Sequence, residues 1–262
     1  MTTLSLPVVA ASAGPPTTAV MTTTIPASIS DHARPADADA RRGFGPRVRR
    51  LHARIGAAHH QAEGMAFSRA LLEGQATPLQ LAALIRALAP AYDFIESCGP
   101  ELAAALGATD LPWADLARTP ALRHDLAKLA VAAATPPSPA AQDWLEHLRL
   151  LARQEPHRFL AHVYVRYGGD LSGGQQLAEQ ANAILRAQGL PAVEFWHFDR
   201  PIPELKQALH DAFEQLDLSE AEEAELLEES VVAFQATQRL LAELGELGTP
   251  TSEAKATPTA SA

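Results

Sequence analysis

The stretch AHVYVRYGGDLSGGQ, residues 161–175, decides how the rest of the chain is read. It opens as an ordinary helix, with Val163, Tyr164 and Tyr167 among its apolar residues. It then places Gly168, Gly169, Gly173 and Gly174 in quick succession, although each glycine inside a helix costs about 1 kcal/mol relative to alanine. Gly169 and Gly173 are four apart and share a face, with Gly168 and Gly174 flanking them. Such a face is a trough of bare backbone in which Asp170 and Ser172 stand, with Arg166 one turn before Asp170. Two readings fit it: a flat apolar ligand with a polar reaction centre beside it, or close helix–helix packing through small residues.

The surrounding composition favours helices. Of 262 residues 47% are hydrophobic and only 5% aromatic, and alanine and leucine dominate. Runs of Val, Ile and Thr at strand spacing are scarce, so an all-α, single-domain bundle is expected. A formal net charge of -10 argues against nucleic acid or an anionic membrane as the main partner. A lone cysteine, Cys98, excludes an internal disulfide. No apolar run approaches the roughly 20 residues that span a bilayer, and a cytoplasmic protein is expected.

Residues 1–45, rich in Thr, Ser, Ala and Pro at their start, read as a disordered tail, and Met21 is a second candidate start. Residues 248–262 read as a second polar tail, leaving a helical domain over 46–247. Apolar spacing predicts a first helix over about 46–73. Thr77 and Pro78 open the next, which runs toward Cys98 with a kink at Pro90. Shorter helices are expected over 120–133 and 140–154, then a long one from Pro156 through the glycine cluster, and another over 202–216. Ser219 and Glu222 form a capping box for the last helix, which ends near Gly245 or Gly248.

A flat ligand on a helical protein suggests haem, whose iron needs an axial ligand. His59 falls at the edge of the Ile55–Ala62–Ala66 face of the first helix, and His60 is turned about 100° away, toward solvent. Glu63, one turn after His59, can accept a hydrogen bond from the imidazole and make it a better ligand. A packed core histidine is the plainer reading of His59 taken alone.

Together, AHHQAEGMAF (residues 58–67) and AHVYVRYGGDLSGGQ resemble the haem oxygenase family, and the likeness covers roughly residues 46–247. The resemblance implies that His59 is the proximal iron ligand and Glu63 its hydrogen-bonding neighbour. Gly169 and Gly173 would approach the haem face, and Gly174 would permit a bend. Asp170 matches the family's distal aspartate, which holds a water network that delivers protons to the oxygen being activated. Arg166, Tyr92 and Tyr164 match positions in or near that network or the haem edge, and Phe234 matches an aromatic position in the pocket. Lys206 matches a residue that binds a haem propionate. Where the family often has arginine this chain has His210, and where lysine is common it has His52, so two permanent cations are replaced by titratable groups. Propionate anchoring could then shift to Lys206 and Arg54.

The implied reaction opens haem to biliverdin, CO and ferrous iron with O2 and electrons from an external donor, a ferredoxin or reductase. A bilin acceptor is a further implied partner. The rival readings are a haem carrier or sensor without turnover and a di-iron bundle, the latter resting only on EFWH at 194–197. Arg41, Arg42, Arg47, Arg49, Arg50 and Arg54 form a basic run that reads either as a solvated helix start or as a guide for an acidic donor. The remaining histidines have no partner that singles them out, and His162 reads as structural.

Overall fold

The computed structural model describes residues 44–129 and 134–248. The expected tails, apart from Phe44, Gly45 and Gly248, lie outside the described residues, as do Arg41, Arg42 and the end of the helix expected over 120–133. A division by contacts falls between Ala40 and Arg41, and every described residue belongs to the unit that follows it.

The described residues form helices and no strand. In chain order they are α1 (Pro46–Glu63), α2 (Ala66–Leu72), α3 (Pro78–Ala105), α4 (Trp113–Leu116), α5 (Thr119–Lys128), α6 (Pro139–Gln154), α7 (Pro156–Ser172), α8 (Gly174–Ala187), α9 (Ile202–Glu214) and α10 (Glu220–Leu247). The long α10 is the spine, packed against α1 on one side and α7 on another. The core between them is built from aliphatics with Tyr92, Tyr167, Phe159, Phe195 and Phe213 fully buried.

Local rules fix the ends. Thr77 and Gln80 make a reciprocal capping box at α3, with Pro78 in its first turn, and Ser219 and Glu222 make another at α10. Glu220, Glu222 and Glu223 suit the positive end of α10. The helix predicted over 46–73 is two: Gly64 closes α1 and Met65 turns extended before α2. Likewise the glycine helix stops at Ser172, and Gly173 serves as both the last cap of α7 and the first of α8. Pro90 and Pro100 both lie inside α3, which continues through them. The short α4 has no counterpart in the sequence expectations.

The start of α1 is capped from outside. Glu214, at the end of α9, accepts from the backbone N–H of Val48 at 2.7 Å and of Arg47 at 3.2 Å. The orphan donors of α1 and the orphan charge of Glu214 satisfy each other. A Cβ on Gly45 would lie 2.1 Å from the Glu214 carboxyl carbon, so this approach requires glycine.

Candidate functional site

His59 projects near the C-terminal end of α1. Its ring lies 5.9 Å from the Phe234 ring of α10, edge-on, and its side chain is 53% exposed. Phe234 joins Ala62, Val165 and Ala233 in a small apolar cluster that ties α1, α7 and α10 together beside that ring. His60 points outward at 84% exposure. Glu63 lies between the two: its Oε2 is 3.3 Å from Nδ1 of His60 and its Oε1 3.6 Å from Nδ1 of His59. The expected His59–Glu63 hydrogen bond is therefore a looser contact, because His60 competes for the same carboxylate.

On α7 the four glycines divide. A Cβ added at Gly168 or Gly169 would meet nothing within 4 Å, and one at Gly173 would meet only the Gly169 carbonyl oxygen at 3.9 Å. These three leave bare backbone facing open space. A Cβ at Gly174 would lie 2.7 Å from Cδ1 of the buried Trp196. Gly168, Gly169 and Gly173 thus form an open face, while Gly174 opens α8 at the break after α7 and packs closely on Trp196.

Beside the bare face, Asp170 is only 4% exposed. Tyr92 of α3 donates a short hydrogen bond to Oδ2 of Asp170 and accepts one from Nε of Arg166 at 3.2 Å. Arg166 also lies 3.6 Å from Oδ1 of Asp170 and reaches the Thr237 hydroxyl at 3.5 Å. Burial pushes the Asp170 carboxyl above the usual carboxylate range, against the pull of Arg166, the Tyr92 hydrogen bond and Arg118. The network extends further than the sequence indicated. Tyr167 donates to Glu96 at 3.1 Å, and the backbone N–H groups of Arg118 and Thr119 close on the same carboxylate. Glu96 sits one turn after Tyr92 on α3, a spacing that was visible but not distinctive.

The third part lies toward the N-terminal half of α1. His52 stacks on Phe44 with ring centres 5.2 Å apart, and His210 meets Phe44 edge-on at 4.3 Å. His52 and His210 are 5.8 Å apart, and each is 6.1 Å from the Tyr164 ring. The Tyr164 hydroxyl and Nδ1 of His210 are buried without a hydrogen-bond partner, a costly condition that a ligand bringing acceptor oxygens would relieve. Half-buried Lys206 stands one turn before His210 on α9. Arg54 pairs with Glu228 at 2.5 Å on the exposed surface.

The described arginines of the basic run also have partners. Arg47 donates to the carbonyls of Phe213 and Leu216, Arg50 pairs with Glu223 at 2.5 Å, and Arg49 donates to the Phe44 carbonyl. Arg47 and Arg50 fasten α1 to the α9–α10 corner, and Arg49 closes the start of α1. Several other histidines do have specific partners. His147, His162 and Arg158 all hold Glu229, while His157 pairs with Glu225 and His124 with Glu194. His32 lies outside the described residues. Glu194 of EFWH is exposed and bonded to Lys128, which leaves nothing of the di-iron reading.

His147, His162 and Glu229 also have the donor types of a metal site. Trp144, however, donates its indole N–H to Nδ1 of His162 at 3.1 Å, which places the imidazole proton on Nε2, against Glu229. That nitrogen has no lone pair to give a metal, and Glu229 is already saturated by donors. The cluster is a satisfied hydrogen-bond network.

An all-helical body with an imidazole on one element, a bare glycine face on another and a cluster of unpartnered polar atoms matches the needs of a large flat ligand with an iron centre and a carboxylated edge. Haem fits these residues. Comparison with known proteins agrees: the "Heme oxygenase" family model matches residues 48–243, and the chain belongs to that family. A "Heme oxygenase 2" of Synechocystis sp. is 32% identical over 116 residues, covering 42% of this chain and 46% of the relative. One from Rattus norvegicus is 33% identical over 115 residues, covering 42% and 36%. These alignments thus span less than half of each curated relative's length. The crystal structure of heme oxygenase-2 from Synechocystis sp., in complex with heme and NO, superposes with a TM-score of 0.69 at 26% identity, over 78% of this chain and 87% of that one. The heme oxygenase of Leptospira interrogans gives 0.68 at 28%, over 76% and 100%. No described helix is long and apolar enough to cross a membrane.

Proposed function

We propose that the protein is a haem oxygenase, opening haem to biliverdin, CO and ferrous iron with O2 and electrons from an external ferredoxin or reductase. The observation that carries this reading is the pairing of an open glycine face with a buried carboxylate fixed beside it. When bound, haem supplies the iron that activates O2 and the ring edge that is opened. His59 would hold the iron through its Nε2, with Glu63 near its Nδ1. Gly168, Gly169 and Gly173 would leave room beside the bound ring, since no side chain projects from that backbone into the open space. Tyr92 and Arg166 orient Asp170, and burial keeps its carboxyl able to hold a proton that it can pass on. A protein that merely carried haem would gain nothing from burying a carboxylate there.

The test is the absorption spectrum and product of haem-loaded protein. His59→Ala should lose the histidine-ligated Soret band, and an unchanged spectrum would assign the ligand elsewhere. Asp170→Ala should keep haem but lose biliverdin when reductant is added under air. Normal biliverdin from that variant would remove Asp170 from the chemistry, and a haem-loaded wild type that makes no bilin would leave only the carrier.

A further inference from the structure

The last turn of α1 holds a group of side chains that the haem reading uses only in part. Glu63 ends the helix, with His59 four residues and His60 three residues before it. Those two spacings bring both imidazoles onto one carboxylate. Nδ1 of His60 is 3.3 Å from Oε2, and Nδ1 of His59 is 3.6 Å from Oε1. One donor atom from each of the three residues lies within 4.8 Å of the others. Ligand atoms about 2.0–2.2 Å from a tetrahedral zinc ion stand about 3.3–3.6 Å from one another, so small side-chain rotations close the cluster on one. Two imidazoles and a carboxylate are donors that a zinc ion takes readily.

The surroundings favour a cation. The side chains of His59, His60 and Glu63 are 53%, 84% and 55% exposed, so an ion would keep water in its fourth position and lose little hydration. The end of α1 is the negative end of its dipole, and the last turn carries no basic residue besides His60. Arg69 of α2 brings a positive charge near, but its guanidinium is exposed to screening and turned to the Gly64 carbonyl at 2.6 Å. In the His147–His162–Glu229 cluster, Trp144 and Arg158 occupy the donor atoms. Among the described residues, no other group hydrogen-bonds either ring at the end of α1.

We propose that His59, His60 and Glu63 bind a divalent ion of the zinc class in the haem-free protein, and that this ion and haem exclude one another. The metal site stands without the haem reading above, and the exclusion rests on it. A neutral imidazole has one lone pair and one proton. With the ion on Nδ1 of His59, the proton sits on Nε2, the nitrogen that would hold the haem iron. With Nε2 given to the iron, the proton sits on Nδ1 toward Glu63, and the ion loses a ligand. The choice between the two is therefore a choice of His59 tautomer. Glu63 orients the ring in one state and becomes a ligand in the other. His60, which the haem reading leaves unused, acts only in the metal-bound state. By linkage the exclusion is mutual.

The experiment titrates Zn2+ into the haem-free full chain by calorimetry, for wild type and His60→Ala. The variant should bind the ion about 10–100-fold more weakly, since a ligand is worth at least what an outer partner is. His60 is exposed, so the variant should fold, and its haem-loaded Soret band should match wild type. Haem is then titrated with Zn2+ held at about ten times its wild-type dissociation constant. Apparent haem affinity should drop about tenfold in wild type and no more than about twofold in His60→Ala. Mg2+, which prefers oxygen donors, should change neither. Equal Zn2+ binding by wild type and His60→Ala would overturn the site, and haem uptake by wild type that ignores Zn2+ would overturn the exclusion. A His59→Ala variant that loses Zn2+ binding but keeps the wild-type Soret band would instead overturn the haem reading and leave the metal site standing.

Discussion

A methyl group added at Gly174 would arrive 2.7 Å from Cδ1 of Trp196, whereas one added at Gly169 would meet no atom within 4 Å. The two substitutions should therefore move stability in opposite directions. Gly174→Ala forces the buried indole aside and should destabilise the protein by about 1–3 kcal/mol. Gly169→Ala relieves a helix-interior glycine and should stabilise the haem-free protein by about 0.5–1 kcal/mol, while the new methyl crowds the face that haem would occupy and lowers turnover. Urea midpoints and biliverdin yields for both variants check this, and a loss of stability in Gly169→Ala would show that its face is not free. In the sequence nothing marked which of the four glycines has a side chain packed against it. Spacing placed Gly169 and Gly173 on one face, but Trp196 lies far along the chain and its approach to Gly174 is a tertiary fact. His59 and Asp170 were legible because their neighbours in sequence are also their neighbours in the site. Glu96 and Arg118 were not, since nothing local marks them as closing on Tyr167 and its surroundings.

At the scale of the element, α7 carries the bare face at its C-terminal end and is fastened at its N-terminal end. Glu229 of α10, 1% exposed, accepts from His162 at 3.0 Å and Arg158 at 2.6 Å on α7, and from His147 of α6 at 2.6 Å. One carboxylate thereby joins three helices, and its partners leave no donor idle. Glu229→Gln keeps the shape but withdraws the charge from Arg158 and turns an amide N–H toward groups that already donate. The expected loss is about 3–5 kcal/mol, the range for removing one partner of a buried ion pair. A urea midpoint that shifts by less than about 1 kcal/mol would show that the pair contributes nothing to the fold. The start of α10 was readable from the sequence because its capping box is a four-residue pattern, and that of α3 because Thr77 and Pro78 mark it. The break at Gly64 was missed because the apolar pattern continues from α1 into α2 while the backbone does not. The arginine run could not be interpreted without the acids of α9 and α10, which lie more than 160 residues away.

For the whole molecule, the buried titratable groups set how stability responds to acid. Unfolded, His162 and His210 titrate near the ordinary value of about 6.5. Folded, burial holds His162 below that and, with His52 and Lys206, brings His210 to about 4. Between those limits the unfolded chain binds more protons than the folded one, so stability falls as pH drops from about 6.5 toward 4. Glu229 acts later in the same direction. Burial alone would raise its pKa, but hydrogen bonds from His162, His147 and Arg158 hold it at about 2. Its contribution is complete above the ordinary carboxylate value near 4.5 and disappears as pH falls toward 2. Asp170 and Asp125, which burial pushes upward, oppose this trend, because the folded chain protonates them first. The histidines meet acid before Glu229 does, so between these two sources they govern the first part of the decline. The melting temperature of the haem-free protein should drop by roughly 5–10 °C between pH 7.5 and 5. His210→Leu removes the titrating group together with its unpartnered Nδ1, and should leave the neutral melting temperature no lower while making the acid decline shallower. A wild-type melting temperature that stays level from pH 7.5 to 5 would mean that the two imidazoles are not held neutral by the fold. A His210→Leu curve parallel to wild type would place the acid sensitivity on His162 and its partners alone.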